Sequence, residues 1–354
     1  MTPASAQAAA ARIKPEALST YPDTIDVRSP AEFADDHVPG AINCPVLSDD
    51  ERARVGTLHA QVSQFEARKL GAALISRNIA AIIERFHGRA REWTPAIYCW
   101  RGGQRSRSLA HVMTEIGWRA VQLEGGYRAY RTFVLERLDS VPRPFRYRVI
   151  CGVTGSGKSR LLQALDAAGA QVVDLEAMAR HRGSLLGDIP DDPQPSQKYF
   201  ESLVLARLRE LDPGRPVYVE SESRKIGRVQ VPSVLLDAMR TSPCIRVNLA
   251  LEQRVALLRE EYAHFLTDTT LLARRLSALI PLHGKATIDR WNALAAAGEF
   301  DALVHALLVE HYDPAYAKAI ERNFPHYGEA LVVSPDTIAS EAFLDAAHAL
   351  IAQT

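Results

Sequence analysis

Residues Gly152-Val-Thr-Gly-Ser-Gly-Lys-Ser159 constrain the fold around them more tightly than any other stretch of the chain. They fit G-x-x-x-x-G-K-[ST] at every fixed position, with an apolar run at 148–151 before them and a helical pattern at 158–168 after. A strand, a tight loop and a helix N-terminus are therefore expected, the context in which this motif grips phosphate. Gly155 and Gly157 permit backbone conformations that turn several N–H groups toward one anion. The helix N-terminus adds the positive end of its dipole. Gly152, Thr154, Gly155, Ser156, Gly157, Lys158 and Ser159 are the expected diphosphate-binding residues. Lys158 neutralises phosphate charge and the Ser159 hydroxyl can hold Mg²⁺. Metal binding at such a loop calls for a further acid. Asp174 follows the apolar run 171–173 and Glu220 follows 217–219, so either can serve directly or through water. His181, Arg182 and Arg224 place cations where a diphosphate can use them.

The rest of the chain is that of an ordinary globular protein of two domains or slightly more, with 354 residues and 24% charged residues. No run approaches the roughly 18 consecutive apolar residues of a membrane span, so no membrane partner is expected. Residues 1–11 are Ala-rich, lack a basic segment before an apolar core, and read as a disordered lead-in. The four cysteines, Cys44, Cys99, Cys151 and Cys244, form no C-x-x-C pair. That argues against a structural zinc site and fits a reducing cytoplasm. Zero net charge hides an imbalance. Residues 1–143 carry 19 basic and 16 acidic side chains, 144–248 carry 15 and 12, and 249–354 carry 8 and 14. A polyanionic partner should therefore lie on the first two segments.

Strand-like runs at 24–27, 96–98 and 120–123 alternate with helical patterns, one of them ending at Gly117. The Pro-bearing connector 140–144 separates this region, 12–139, from a second alternating region, 145–250. Runs at 171–173, 216–219 and 244–249 read as strands there, and 196–211 and 231–240 as helices. Beyond residue 251 the pattern is mostly helical. The expected fold class is α/β, two parallel sheets with helices on both faces followed by a helical C-terminal region, 251–354.

Tyr98-Cys-Trp-Arg-Gly-Gly-Gln-Arg-Ser106 supplies a second anion site between a strand and a helix. Backbone N–H groups after Cys99 can curl round an anion, a field that stabilises negative charge on sulfur. Trp100, Arg101, Gly102, Gly103, Gln104 and Arg105 form this loop, and the two arginines add positive charge. Cys99 is the expected nucleophile. The other three cysteines lie in apolar runs or beside proline and read as structural.

With Asp26-Val-Arg-Ser-Pro-Ala-Glu-Phe33, His37-Val-Pro-Gly-Ala41 and Leu123-Glu-Gly-Gly-Tyr127, the cysteine loop resembles a rhodanese domain. Many rhodanese loops place the arginine five residues after the cysteine. Here Arg105 comes six after, the Cys-x5-Arg-Ser spacing of cysteine phosphatases, which suits a larger anion. A rhodanese domain followed by a P-loop domain resembles the tRNA 2-selenouridine synthase family. Further matching segments are Phe65-Glu-Ala-Arg-Lys-Leu-Gly71, Gln194-Pro-Ser-Gln197, Glu220-Ser-Glu-Ser-Arg-Lys-Ile-Gly227 and His311-Tyr-Asp-Pro-Ala-Tyr316. The resemblance implies a transferase that replaces the sulfur of wobble 2-thiouridine in tRNA with selenium. Selenophosphate is the implied donor, Cys99 the implied selenium carrier, and an enzyme supplying selenophosphate a possible partner. It also implies a prior S-geranylation from geranyl diphosphate. No tightly bound cofactor is expected, and the phosphate loop can hold Mg²⁺. His181, Arg182 and Arg224 then become tRNA or phosphate contacts, and Trp100, Arg101 and Tyr127 can stack or pair with an unstacked base. The alternative from the residues themselves is a rhodanese-type sulfurtransferase or Cys-x5-Arg phosphatase coupled to a P-loop ATPase. A nucleotide-gated regulator would have no use for a reactive cysteine.

Overall fold

The computed structural model describes residues 10–353. The chain divides into two compact units, one running up to Arg137 and the other from Leu138 onward, with Glu201–Leu203 grouped with the first. Most of the lead-in, residues 1–9, lies outside the described residues, and a strand already begins at Ala11.

Five strands form the sheet of the first unit: β1 (Ala11–Ile13), β2 (Thr24–Asp26), β3 (Ile42–Asn43), β4 (Ala96–Tyr98) and β5 (Val121–Leu123). They are all parallel, in the order β1-β5-β4-β2-β3. Every residue of β2, β4 and β5 is buried. Alternate side chains of a strand face opposite sides, so both faces of this sheet are covered. The helix Gln104–Ile116 sends Leu109, Ala110 and Met113 into the core beside Ile25, Val27 and Ile97, then stops at Gly117, whose φ is +108°. Behind the sheet edge the Asp26-Val-Arg28 signature is a buried strut. Arg28 is 1% exposed, pairs with Asp26 at 2.6 Å, donates to the Asp36 carbonyl at 2.6 Å and lies 4.0 Å over the Tyr127 ring.

In the second unit, β6 (Arg146–Cys151), β7 (Gln171–Val173) and β8 (Pro216–Glu220) are followed by a hairpin of β9 (Lys225–Ile226) and β10 (Val229–Gln230). Then come β11 (Cys244–Val247) and, much later, β12 (Leu331–Val333). The main sheet is parallel, ordered β12-β11-β6-β8-β7. The Gln194–Gln197 segment latches the hairpin: Gln194 bonds the Ile226 carbonyl at 3.0 Å and the Arg228 N–H at 2.7 Å, and Gln197 exchanges two bonds with Gln230.

The region beyond Leu251 is mostly helical, but it is no appendage to the P-loop unit. Strand β12 extends the sheet, and the helix Ser340–Gln353 inserts Phe343, Ala347 and Leu350 among Leu161, Leu162 and Leu165. The Phe343 ring also touches the phosphate loop. A Cβ on Gly157, whose φ is +87°, would lie 2.5 Å from it, so only glycine fits there. Phe343 is 1% exposed. Phe343→Ala is expected to destabilise the second unit by about 3–5 kcal/mol. Urea unfolding should show this as a lower midpoint with an unchanged slope.

Candidate functional site

The cysteine loop sits at the carboxyl end of β4, in the middle of the first sheet. Cys99 is buried, and its Sγ accepts from the Gly103 N–H at 3.2 Å and the Ser106 hydroxyl at 3.1 Å. Gly103 is the residue before the helix Gln104–Ile116, so the thiol faces that helix's N-terminus. The loop's own carbonyls are tied back. Buried Gln122 donates to Gly102 and Gly103 oxygens at 2.9 and 3.2 Å and to the Ser106 hydroxyl at 2.7 Å. The turn after β5 closes over the loop from the side, with Tyr127 and Arg128 N–H groups donating to Cys99 and Trp100 carbonyls at 2.8 and 3.1 Å. A Cβ on Gly126 would lie 2.2 Å from the Cys99 oxygen, which requires glycine.

Arg101 and Gln104 are exposed, and Trp100 is 37% exposed with its ring 5.1 Å from that of Tyr127. Arg105 is less available than its position suggests, because Glu32 holds its guanidinium at 2.8 Å. Burial of Glu32 acts to raise its pKa, but Arg105 and Arg52 outweigh this and hold the carboxyl below its ordinary value. Tyr127 belongs to the framework and not to a base-stacking surface. It is 3% exposed, its hydroxyl donates to Asp36 at 2.8 Å, and its ring lies under Arg28.

The phosphate loop follows β6, and the helix Lys158–Ala167 begins at its end. Lys158 curls over the loop, with Nζ donating to the Gly152 carbonyl at 2.9 Å. A cavity of about 680 Å³ opens beside it, lined among others by Thr154, Gly155, Gly157, Lys158 and Ser159. His181 and Arg182 also line it. The His181 Nδ1 accepts from the Gly183 N–H at 3.1 Å, and burial pushes its pKa down. The Arg182 guanidinium lies 4.9 Å from the Tyr262 ring centre. Arg224 is exposed and not part of the cavity lining.

Three residues outside the expected site residues hold this loop in shape, two of them within the matching segment 311–316. Arg254, 6% exposed, donates from Nε and Nη2 to the Thr154 carbonyl at 3.0 and 2.9 Å, and pairs with both oxygens of Asp313 at 2.6 and 3.0 Å. The Tyr316 hydroxyl accepts from the Gly152 N–H at 2.7 Å. The His311–Tyr316 segment therefore braces the phosphate loop from far along the chain.

The acids divide their roles. Asp174 lines the cavity and caps the helix Leu175–Ala179, accepting from the Ala177 N–H at 2.8 Å. Glu220 is fully buried at the end of β8. One of its oxygens lies 3.4 Å from the Ser159 hydroxyl, while the other accepts from the Glu176 N–H at 3.1 Å. The Ser159 hydroxyl also donates to Glu176 at 3.2 Å. Oxygens of Glu176, Glu220 and Glu222 come within 4.8 Å of one another. Like charges so close, out of water, resist ionisation. Burial pushes Glu176 up to about 7 against the pull of Lys158, and burial with the charge of Glu176 pushes Glu222 up to about 8. Glu220 too is raised well above the ordinary carboxyl value, again chiefly by burial. These three carboxylates and the Ser159 hydroxyl are a set of oxygen donors that fits a hard divalent cation.

A rhodanese-like α/β domain with a cysteine loop, followed by a P-loop-like α/β domain, defines a two-domain enzyme. Residues 145–277 match the family model for the tRNA 2-selenouridine synthase AAA domain, and residues 5–132 match that of the rhodanese-like domain. The tRNA 2-selenouridine synthase of Nitrosomonas europaea is 37% identical over 268 residues, covering 73% of this chain and 67% of its own. That of Marinobacter nauticus is 34% identical over 324 residues, covering 82% and 86%, and that of Cupriavidus necator 34% over 322, covering 83% and 87%. The chain belongs to the tRNA 2-selenouridine synthase family.

The raised carboxyls carry a stability signature. Glu176 and Glu222 keep their protons in the fold to about pH 7 and 8, whereas an unfolded chain releases them near 4.5. Between those values the folded state binds more protons, so this contribution is full below about pH 4.5 and is lost as pH rises through 7–8. In metal-free protein, the fall in melting temperature from pH 5 to 8 should be smaller in Glu222→Gln than in the parent. Adding Mg²⁺ at pH 8 should raise the parent's melting temperature more than the variant's.

Proposed function

We propose that this protein replaces the sulfur of a wobble 2-thiouridine in tRNA with selenium taken from selenophosphate. The observation that carries this reading is the Cys99 sulfur. It lies at the end of a central strand, receives hydrogen bonds from the Gly103 N–H and the Ser106 hydroxyl, and faces a helix N-terminus. Such a site favours a chalcogen atom bearing negative charge. The family membership supports the tRNA substrate.

The proposed sequence begins with geranylation. The thiouridine sulfur attacks the first carbon of geranyl diphosphate, the carbon–oxygen bond breaks, and inorganic diphosphate leaves. Alkylation turns sulfur into a better leaving group for the exchange that follows. The phosphate loop recognises phosphates through backbone groups and does not by itself demand adenine. Lys158 would follow the charge that grows on the leaving diphosphate. A divalent cation held by Ser159 with Glu176, Glu220 and Glu222 would share that charge. Selenium delivery would then belong to Cys99 and its loop.

Cys99→Ser should abolish 2-selenouridine, while serine at Cys44, Cys151 or Cys244 should leave most of it. Mass spectrometry of tRNA nucleosides reads both, and appreciable selenouridine from Cys99→Ser would remove the cysteine from the mechanism. Lys158→Ala should stop geranylation yet spare selenium transfer to tRNA supplied already geranylated. A strict ATP requirement in the parent, or loss of both steps in a folded Lys158→Ala protein, would reject the division of labour.

A further inference from the structure

A second, almost wholly apolar pocket of about 60 Å³ adjoins the phosphate cavity. The two share Thr154, Ser184, Leu258, Tyr262 and Tyr312, so they adjoin across these side chains beside the phosphate loop. The shared residues bring hydroxyls to the junction, where Ser184 and Tyr262 hydrogen-bond at 3.2 Å. Past the junction the walls are hydrocarbon. Phe265, Leu272, Phe300, Leu303 and Leu307 line only the apolar pocket, and all but Phe300 are buried. The charged residue in the lining, Arg259, is paired with Asp301 at 2.9 Å. These side chains come from the helices Leu251–Glu261, Ala263–Thr267, Thr269–Ser277 and Phe300–Leu307. A π-helical turn at Leu308–Tyr312 aims Leu308 and Tyr312 at the same space.

A phosphate cradle bordered by hydrocarbon suits one kind of molecule, a diphosphate whose other end is a hydrocarbon chain. An adenosine would present polar ring nitrogens and ribose hydroxyls to walls with few groups to bond them. We propose that this pocket receives the branched terminal end of the hydrocarbon tail of the allylic diphosphate bound at the phosphate loop, and that Leu272 and Leu303 limit the length of chain accepted. Its volume of about 60 Å³ is too small for the whole chain. The proposal rests on the reading that the loop takes a prenyl diphosphate, and it adds where the tail lies and what selects it. One methylene in a hydrophobic pocket changes discrimination by roughly 10–200-fold, so trimming either leucine should be visible in substrate choice.

The test offers the full-length protein geranyl diphosphate or farnesyl diphosphate with thiolated tRNA, and measures S-alkylated nucleosides by mass spectrometry. The parent should prefer the ten-carbon donor. Leu303→Ala and Leu272→Ala should each shift the farnesyl-to-geranyl ratio upward by about tenfold or more. Leu303→Trp should weaken geranyl diphosphate binding more than it weakens binding of inorganic diphosphate, which reports the phosphate loop alone. Two small variants are used so that failure of one to fold leaves the other to decide. If the parent alkylates tRNA but neither folded variant changes the ratio, the tail pocket is wrong and the functional reading stands. A parent that transfers neither chain overturns both.

Discussion

A loop that turns its N–H groups toward an anion points its carbonyls the other way, and those carbonyls need donors. In both units a buried side chain from elsewhere in the sequence provides some of them. Gln122 holds the Gly102 and Gly103 oxygens behind the cysteine loop, and Arg254 holds the Thr154 oxygen behind the phosphate loop. Both are buried, where a polar contact is strong when satisfied and costly when not. The choice of residue differs with the load. Neutral glutamine suffices for the cysteine loop. The phosphate loop uses a guanidinium, whose charge is in turn matched by both oxygens of Asp313.

The anion-facing side of each site was legible in the sequence because it is local. A glycine-rich turn between an apolar run and a helical pattern fixes its own geometry within about eight residues. Cys99 and Ser159 accordingly stand at helix N-termini at the ends of β4 and β6. The supports were not legible, since each is distant in sequence. Gln122 reads as an ordinary strand residue until β5 pairs with β4, and Tyr316 is 164 residues from the N–H it accepts. Glu222 stood in a matching segment, yet neither it nor Glu176 drew notice, because acids become informative only when adjacent strands bring them within 4.8 Å. Asp174 does carry a local signal: an acid three residues before the N–H it binds is a helix cap. Strands β1 and β12 escaped because each is only three residues long at a sheet edge, too short to show an alternating pattern.

The acidic trio and the lysine beside it make the phosphate cavity electrically self-opposed. Lys158 favours an arriving polyanion, while three carboxyls whose pKa values burial raises wait behind it. Raised values lessen the repulsion these acids offer to phosphate. A divalent cation arriving with its phosphate would displace their protons and turn them into ligands, so charge would enter the cavity in balanced amounts.

The brace between the far segment and the phosphate loop has a temporal consequence. A ribosome finishes Gly152–Ser159 long before it reaches Asp313, Tyr316, β12 and Phe343, all of which the loop or its sheet requires. The cysteine loop draws its supports from within residues up to Arg137 and can settle early. A nascent polypeptide would thus shape its cysteine loop well ahead of its phosphate loop, and a product cut short near residue 300 would lack the braces of the second.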